Sequence, residues 1–154
     1  MRVTGPCSVL MLIGSLLLPG QVQAQAPMRA DPDRLLSFAH YLREKGEHYR
    51  AEGEYSSFLI LFPNHSRAPE AWFFLGRTRQ SQNDSPGAIE AFLHAVKARD
   101  PRWSGEAALG IGETLMDSGR PQEAAQSLEQ LAGDPAWEGI RSRALWLAAR
   151  AWLA

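Results

Sequence analysis

The chain has 154 residues, with 16 lysines and arginines against 17 aspartates and glutamates and a single cysteine. So even a balance, with no basic stretch or acidic tail, argues against a nucleic-acid partner and leaves protein surfaces as the expected one. The lone cysteine excludes a disulfide framework.

The first residues read as an export leader. Met1-Arg2 supplies a positive start, and an apolar run from Val9 to Leu18 breaks at Pro19-Gly20. The small residues of Val22-Gln23-Ala24-Gln25-Ala26 then offer cleavage after Ala24 or Ala26. The run is about half of the roughly 20 residues needed to span a bilayer, so a cleaved signal over 1–26 is expected. Cys7 precedes the run, where a lipoprotein would place its acylated cysteine after it. Cleavage therefore removes the only thiol, and with it any thiolate nucleophile or cysteine-ligated metal. Removing Arg2 leaves 15 basic against 17 acidic residues. A short linker at 27–31 leads into a helical domain over 32–154.

That domain repeats. The segments Leu35 to Pro63, Trp72 to Pro101 and Ala108 to Pro135 each open with a helical apolar pattern carrying a small residue in mid-helix: Ala39, Gly76 and Gly112. Polar breaks follow at Lys45-Gly46-Glu47, Gln82-Asn83-Asp84-Ser85 and Ser118-Gly119-Arg120. A second helix then places a small residue (Ala51, Ala88, Ala124) four positions before a large one (Tyr55, Phe92, Leu128). The small residues recur after 37 and 36 positions, and each half-unit has the length of a three- to four-turn helix. Asp31-Pro32 and Ser85-Pro86 each set a capping side chain before a proline at the first helical position, and Pro69 and Pro121 suit first turns. Pro63, Pro101 and Pro135 are expected to end the second helices. Two antiparallel helices of this size cannot bury an apolar face alone, so neighbouring hairpins must share a core. Tyr55, Phe92 and Leu128 are expected to fill it, with Ala39, Gly76 and Gly112 permitting close helix approach. The last unit, expected at 139–154, reads as a first helix without its second. It is studded with Leu145, Trp146, Leu147, Trp152 and Leu153, so three readings stand: an imperfect cap, a surface that docks on a partner or a second copy, or the end of a truncated member of a longer family.

These residues resemble the tetratricopeptide-repeat (TPR) family. Trp72, Leu75-Gly76, Ala88, Phe92 and Ala95 stand at its spacing, with Pro101 one residue late. The first unit matches through Leu35, Ala39, Gly46, Ala51, Tyr55 and Pro63, and the third through Gly112, Gly119, Ala124 and Leu128. The resemblance implies an all-α solenoid of three helical hairpins, at about 32–65, 69–101 and 105–136, plus a C-terminal single helix. The stretch from Tyr49 to Gly76, with Phe58-Leu59-Ile60-Leu61-Phe62-Pro63-Asn64 followed by Ser66-Arg67-Ala68-Pro69-Glu70-Ala71, is similar to bacterial envelope TPR proteins of the BamD-like and Tol-Pal coordinator type. This chain lacks their lipidation cysteine, a preceding coiled coil and some of their repeats.

In TPR proteins the first helix of each hairpin lines the concave face. The resemblance therefore implies a protein-binding surface of Leu36, His40 and Arg43, then Glu70, Phe73, Arg77 and Gln80, then Leu109, Glu113 and Met116. Arg77 is expected to fork onto a peptide carboxylate, and Phe73 and Met116 to act as apolar anchors. Catalysis is not expected. The four histidines show no ligand spacing, and Gly110-Ile111-Gly112-Glu113 has neither the preceding strand nor the following Gly-Lys of a phosphate loop. No cofactor or metal is implied. The sequence thus points to an exported scaffold for a protein or peptide partner in the periplasm, with the periphery of the outer membrane as one site of action. A self-associating subunit built on the last helix, and an accessory domain of a separately encoded envelope enzyme, are the alternatives.

Overall fold

The computed structural model describes residues 31–154, so the expected leader at 1–26 and the start of the linker lie outside the described residues. Helix α1 spans Pro32–Glu44, α2 His48–Leu61, α3 Ala68–Ser81, α4 Ser85–Lys97, α5 Ser104–Asp117 and α6 Pro121–Gly133. A 3-10 segment, Pro135–Ile140, leads into α7, Arg141–Trp152. Among the described residues there is no strand, and no helix is long and apolar enough to cross a membrane.

Local chemistry starts these helices. Prolines open α1, α3, α4 and α6, where their missing N–H has no intrahelical partner to lose. Asp31 caps α1 by accepting from the Asp33 and Arg34 amides. The cap of α4 is Asp84, not Ser85: its carboxylate accepts from Gly87 N at 3.1 Å, and Ser85 is the first helical residue. A carboxylate one position earlier reaches that amide and gains from the positive end of the helix dipole.

Each hairpin turns through one left-handed residue, namely Gly46 (φ 76°), Asn83 (φ 60°) and Gly119 (φ 74°). The amide three residues beyond each first helix reaches back five residues: Glu47 N to Leu42 O, Asp84 N to Arg79 O and Arg120 N to Leu115 O, at 2.9–3.0 Å. This is the Schellman closure, and glycine or asparagine supplies it without a Cβ penalty. The second helices end less uniformly. Phe62 before Pro63 and Asp134 before Pro135 leave helical geometry as expected. Helix α4 stops earlier, at Lys97, and Arg99 turns left-handed (φ 52°) before Pro101 is reached.

Packing follows the repeat. Ala39 and Tyr55, Gly76 and Phe92, and Gly112 and Leu128 are paired 16 positions apart, and all three large side chains are fully buried. A Cβ on Gly76 would lie 2.6 Å from the Phe92 ring, and one on Gly112 would lie 2.7 Å from Leu128. Phe92 also closes on Gly110 of the next hairpin, where a Cβ would come within 2.9 Å. Each large residue therefore presses one hairpin shut and plugs the seam to the next. Buried clusters cross every seam: Leu36, Tyr55 and Phe58 with Ala71 and Leu75; Phe73 and Phe92 with Ala107; and Leu109 and Leu128 with Ala144, Leu147 and Ala148.

Because Phe92 is walled in on both sides, Gly76→Ala should destabilise the fold by about 1–3 kcal/mol through overpacking. Phe92→Ala should cost about 3–5 kcal/mol through the cavity it leaves. In the pair Gly76→Ala/Phe92→Leu the losses should be less than additive, since the smaller side chain yields room for the methyl. Urea titrations followed by circular dichroism measure all three.

Candidate functional site

The first helices of the hairpins touch in series, α1 to α3, α3 to α5 and α5 to α7, whereas among the described residues α2, α4 and α6 do not touch one another. Elements that crowd together lie on the inside of a curve. The inner wall is thus made by α1, α3, α5 and α7.

Three residues expected on that wall do not offer surface. Leu36 and Leu109 are fully buried, and Phe73 is 7 % exposed, packed against Phe92 and Trp103. Their side chains point toward the second helices, so they shape the wall from behind. Met116 remains half-buried at the surface, as do His40, Arg43, Glu70, Arg77, Gln80 and Glu113.

The seam between the first two hairpins carries a polar chain. His40 Nε2 lies 3.0 Å from Glu70 Oε1, and His40 Nδ1 lies 2.7 Å from Tyr55 Oη. Arg67 donates through Nε (2.8 Å) and Nη2 (3.0 Å) to Glu70, and through Nη1 (2.9 Å) to Asp33 of α1. Burial works to raise the Glu70 pKa, but the hydrogen bonds and charges of Arg67 and His40 outweigh it and hold the carboxyl below its ordinary value. An ionised carboxylate only accepts, so Nε2 carries the imidazole proton and Nδ1 accepts from the Tyr55 hydroxyl. Burial pushes that hydroxyl up to about 12, which keeps it a donor. Arg43 lies over the Phe74 ring, 4.8 Å from its centroid, and its buried Nε has no acceptor among the described residues.

The second seam is tied by Arg77, whose Nη1 donates to Glu113 Oε2 (2.6 Å) and Gln80 Oε1 (3.1 Å). Gln80 Nε2 in turn donates to Thr114 Oγ1 at 2.7 Å. The guanidinium expected to fork onto a ligand is thus engaged by the chain's own carboxylate. It also sits 5.5 and 5.8 Å from the Phe73 and Phe92 ring centroids. At the third seam Arg143 is paired to Glu106.

Beside the Arg77–Glu113 tie a cleft of about 380 Å³ opens between α3, α5 and α7, lined by Gln80, Met116, Asp117, Leu147 and Arg150 among others. Arg150 stacks over Trp146 at 4.9 Å, and neither it nor Asp117 has an ionic partner among the described residues. Arg150, not Arg77, is thus the cleft guanidinium left without a carboxylate partner among the described residues. It could have been found by extending the repeat: His40, Arg77, Glu113 and Arg150 all follow the mid-helix small residue (Ala39, Gly76, Gly112, Ala149) and form one column along the wall. A larger groove of about 900 Å³ lies at the turn edge near Pro101 and Trp137. Its acidic residues, Asp100 and Asp134, are occupied in capping the Arg102, Trp103 and Ala136 amides, which makes it the gap left by two turns. Among the described residues no group of three or more histidine or acidic side chains could hold a metal.

Helical hairpins stacked in register around a shared core, with a polar inner wall, define a helical-repeat solenoid. The chain belongs to the tetratricopeptide-repeat family, whose model matches residues 36–102 and 79–140. No curated protein matches it. Among solved structures it is similar to the Yersinia enterocolitica type III secretion chaperone SycD in complex with a peptide of the translocator YopD: 20 % identity, 79 % of this chain and 92 % of that one covered, TM-score 0.60. PcrH from Pseudomonas aeruginosa is similar at 15 % identity, covering 84 % and 98 % of the two chains, TM-score 0.62. PcrH in complex with the chaperone binding region of PopB aligns at 18 % identity over 75 % and 93 %, TM-score 0.59. Identities this low establish the shared fold. SycD is by name a type III secretion chaperone, not a protein of the barrel-assembly or Tol-Pal type to which the Tyr49–Gly76 stretch pointed.

Arg77 and Glu113 are each about one-third exposed, so their tie sets geometry more than stability. A double-mutant cycle with Arg77→Ala and Glu113→Ala should give a coupling of about 0.2–1 kcal/mol by thermal or urea unfolding.

Proposed function

We propose that this chain is a TPR adaptor that holds a polypeptide segment of a protein partner against its inner wall, without catalysis, in the bacterial cell envelope. The observation that carries the reading is the cleft between α3, α5 and α7. Met116 and the largely buried Leu147 sit in this cleft among six polar residues, and two of these, Arg150 and Asp117, have no ionic partner among the described residues, whereas Arg77 and Glu113 are tied to each other. Oriented polar groups around a small apolar contact suit a peptide side chain, the charges fixing its register. The fold supports the same reading, since two of the similar structures are complexes with a translocator's peptide or chaperone-binding region. The envelope assignment rests on the leader pattern of residues 1–26, and within it the Tyr49–Gly76 stretch favours a barrel-assembly or Tol-Pal-type complex.

Two measurements test this. Cross-linking from the cleft should recover a protein partner whose capture drops at least tenfold with Met116→Glu and Arg150→Glu but not with Arg50→Glu on α2, away from the cleft; equal recovery by all three would refute the site. Fractionation with intact-mass analysis should find a periplasmic chain beginning at Gln25 or Pro27, and a cytoplasmic chain retaining Met1 would remove the envelope assignment.

A second reading is favoured by α7. Its inward side buries Ala144, Leu147, Ala148 and Ala151, while Leu145, Trp146, Trp152 and Leu153 are 50, 60, 51 and 88 % exposed. A structural subunit that self-associates through this stripe should sediment as a dimer or larger, and Leu145→Glu/Trp146→Glu should return it to a monomer. A wild-type chain that stays monomeric at high micromolar concentration excludes this reading.

A further inference from the structure

Two apolar features of the surface stand without a partner among the described residues, and they are of opposite charge. The first is the open face of α7. Ala39, Gly76 and Gly112 are each buried in their own hairpin, but Ala149, which holds the same place in the fourth unit, is exposed. Leu36, Phe73 and Leu109 are likewise buried, whereas their counterpart Trp146 is 60 % exposed. Leu145, Trp146, Ala149, Trp152 and Leu153 thus form one stripe at helical spacing, on the side that a second helix covers in the other units. The helix that bears the stripe holds three arginines, Arg141, Arg143 and Arg150, and no acidic residue. Glu106 pairs with Arg143, while Arg150, stacked on Trp146, has no carboxylate among the described residues.

The second feature is a groove on the outer side. Because α2 and α4 do not touch, α3 shows between them at the bottom of a cavity of about 210 Å³. Leu59, Trp72 and Leu75 line it from below, and Ile60, 78 % exposed, stands as one wall. One end is closed by Arg79, which donates to Glu52 at 2.9 Å and to Glu90 at 3.4 Å. Two carboxylates on one guanidinium leave that end negative. Glu90 makes the longer contact and is 68 % exposed, so it is the one placed to accept from a further cation.

We infer that α7 of one copy docks in the α2–α4 groove of another, with Trp146 entering the cavity and Arg150 meeting Glu90.

This pairing rests on the self-association reading above and names the surface that receives the stripe. The fit is one of shape and of charge. A face that second helices cover elsewhere in the fold meets the outward sides of two second helices. A basic stripe meets an acid-ended groove, whereas α7 laid against α7 would set arginine against arginine. Helix α7 touches α5, α6 and the 3-10 segment but neither α2 nor α4, so a chain does not fill its own groove. Removing Trp146 and Ile60 from water drives the contact, and the Arg150–Glu90 pair sets its register. On this reading Arg150 answers a carboxylate of the neighbouring copy in place of a peptide's. Because the two patches differ, a copy defective in one still offers the other.

Analytical ultracentrifugation of the chain as isolated tests this. The wild type should sediment as a dimer or larger. Ile60→Glu and Trp146→Glu should each sediment as a monomer with unchanged circular dichroism, since both side chains are well exposed. An equimolar mixture of the two should regain a 1:1 complex, because the first keeps its α7 and the second keeps its groove. Arg150→Glu and Glu90→Arg should each weaken association about tenfold, and the double variant should recover most of the loss. A monomeric wild type removes the self-association reading and the pairing with it. An oligomer that survives Ile60→Glu, a mixture that stays monomeric, or a double variant no better than the single ones leaves that reading standing and overturns the pairing. Should Ile60→Glu lose its helical signal, Ile60→Ser takes its place with the same outcomes.

Discussion

The fold hangs on one contact made three times: a large side chain from the second helix of a hairpin pressed onto a small residue 16 positions earlier in the first. Where that residue is glycine the approach is so close that a single methyl would intrude on the ring or branched chain opposite, as the 2.6 and 2.7 Å spacings at Gly76 and Gly112 show. Close approach brings the two helices of a hairpin within reach of the next pair, and Phe92 then touches Gly110 across the seam. A hairpin packed more loosely would leave its apolar face open, and two helices of this length cannot be stable in that state. The same contact fixes the curvature, because it settles how far the first helices stand from the second and so how tightly they crowd along the inside.

Most of this architecture was legible in the sequence because its determinants are local or periodic. Prolines at the first helical turn, left-handed Gly46, Asn83 and Gly119, and the recurring small-and-large pairs all act within one or two turns of the chain, and the repeat multiplies each signal. The misreadings have physical causes. Ser85 and Asp84 are both good caps, and only the three-dimensional reach to Gly87 N decides between them. Pro101 looked like the stop of α4, but Arg99 had already left helical geometry. On the inner wall, helical spacing places Leu36, Phe73 and Leu109 on the correct helices yet does not say how far each stripe rotates toward the second helix. Apolar side chains at the border turn inward, since burying a leucine or phenylalanine is worth about 1.5–3 kcal/mol.

The polar part of the wall was harder to read because its partners are 30 to 37 residues apart. His40 has Glu44 at helical spacing, yet the carboxylate it pairs with is Glu70, which it meets only when α3 stacks on α1. Arg77 looked available for a ligand for the same reason, since Glu113 stands a full repeat away. A column reading, in which equivalent positions of successive repeats are neighbours across a seam, recovers Arg77 next to Glu113 and extends to Arg150. Such a reading is justified wherever hairpins stack in register, because the repeat length converts sequence distance into a fixed spatial step.

The wall and the core thus divide the work of holding the solenoid. Apolar burial behind the wall supplies the stability, and its clusters cross every seam without regard to pH or salt. The half-exposed ion pairs on the wall add little energy but fix which helix faces sit opposite each other, since like charges in register would repel while the observed alternation attracts. A tie that contributes modestly can be exchanged for one that responds to its surroundings without endangering the fold. In the first rung of the column a histidine stands where the next rungs carry an arginine, a glutamate and an arginine. The core beneath, Leu36, Ala39 and Leu42 against Ala51, Tyr55 and Phe58, keeps α1 attached to α2 whatever the charge on His40.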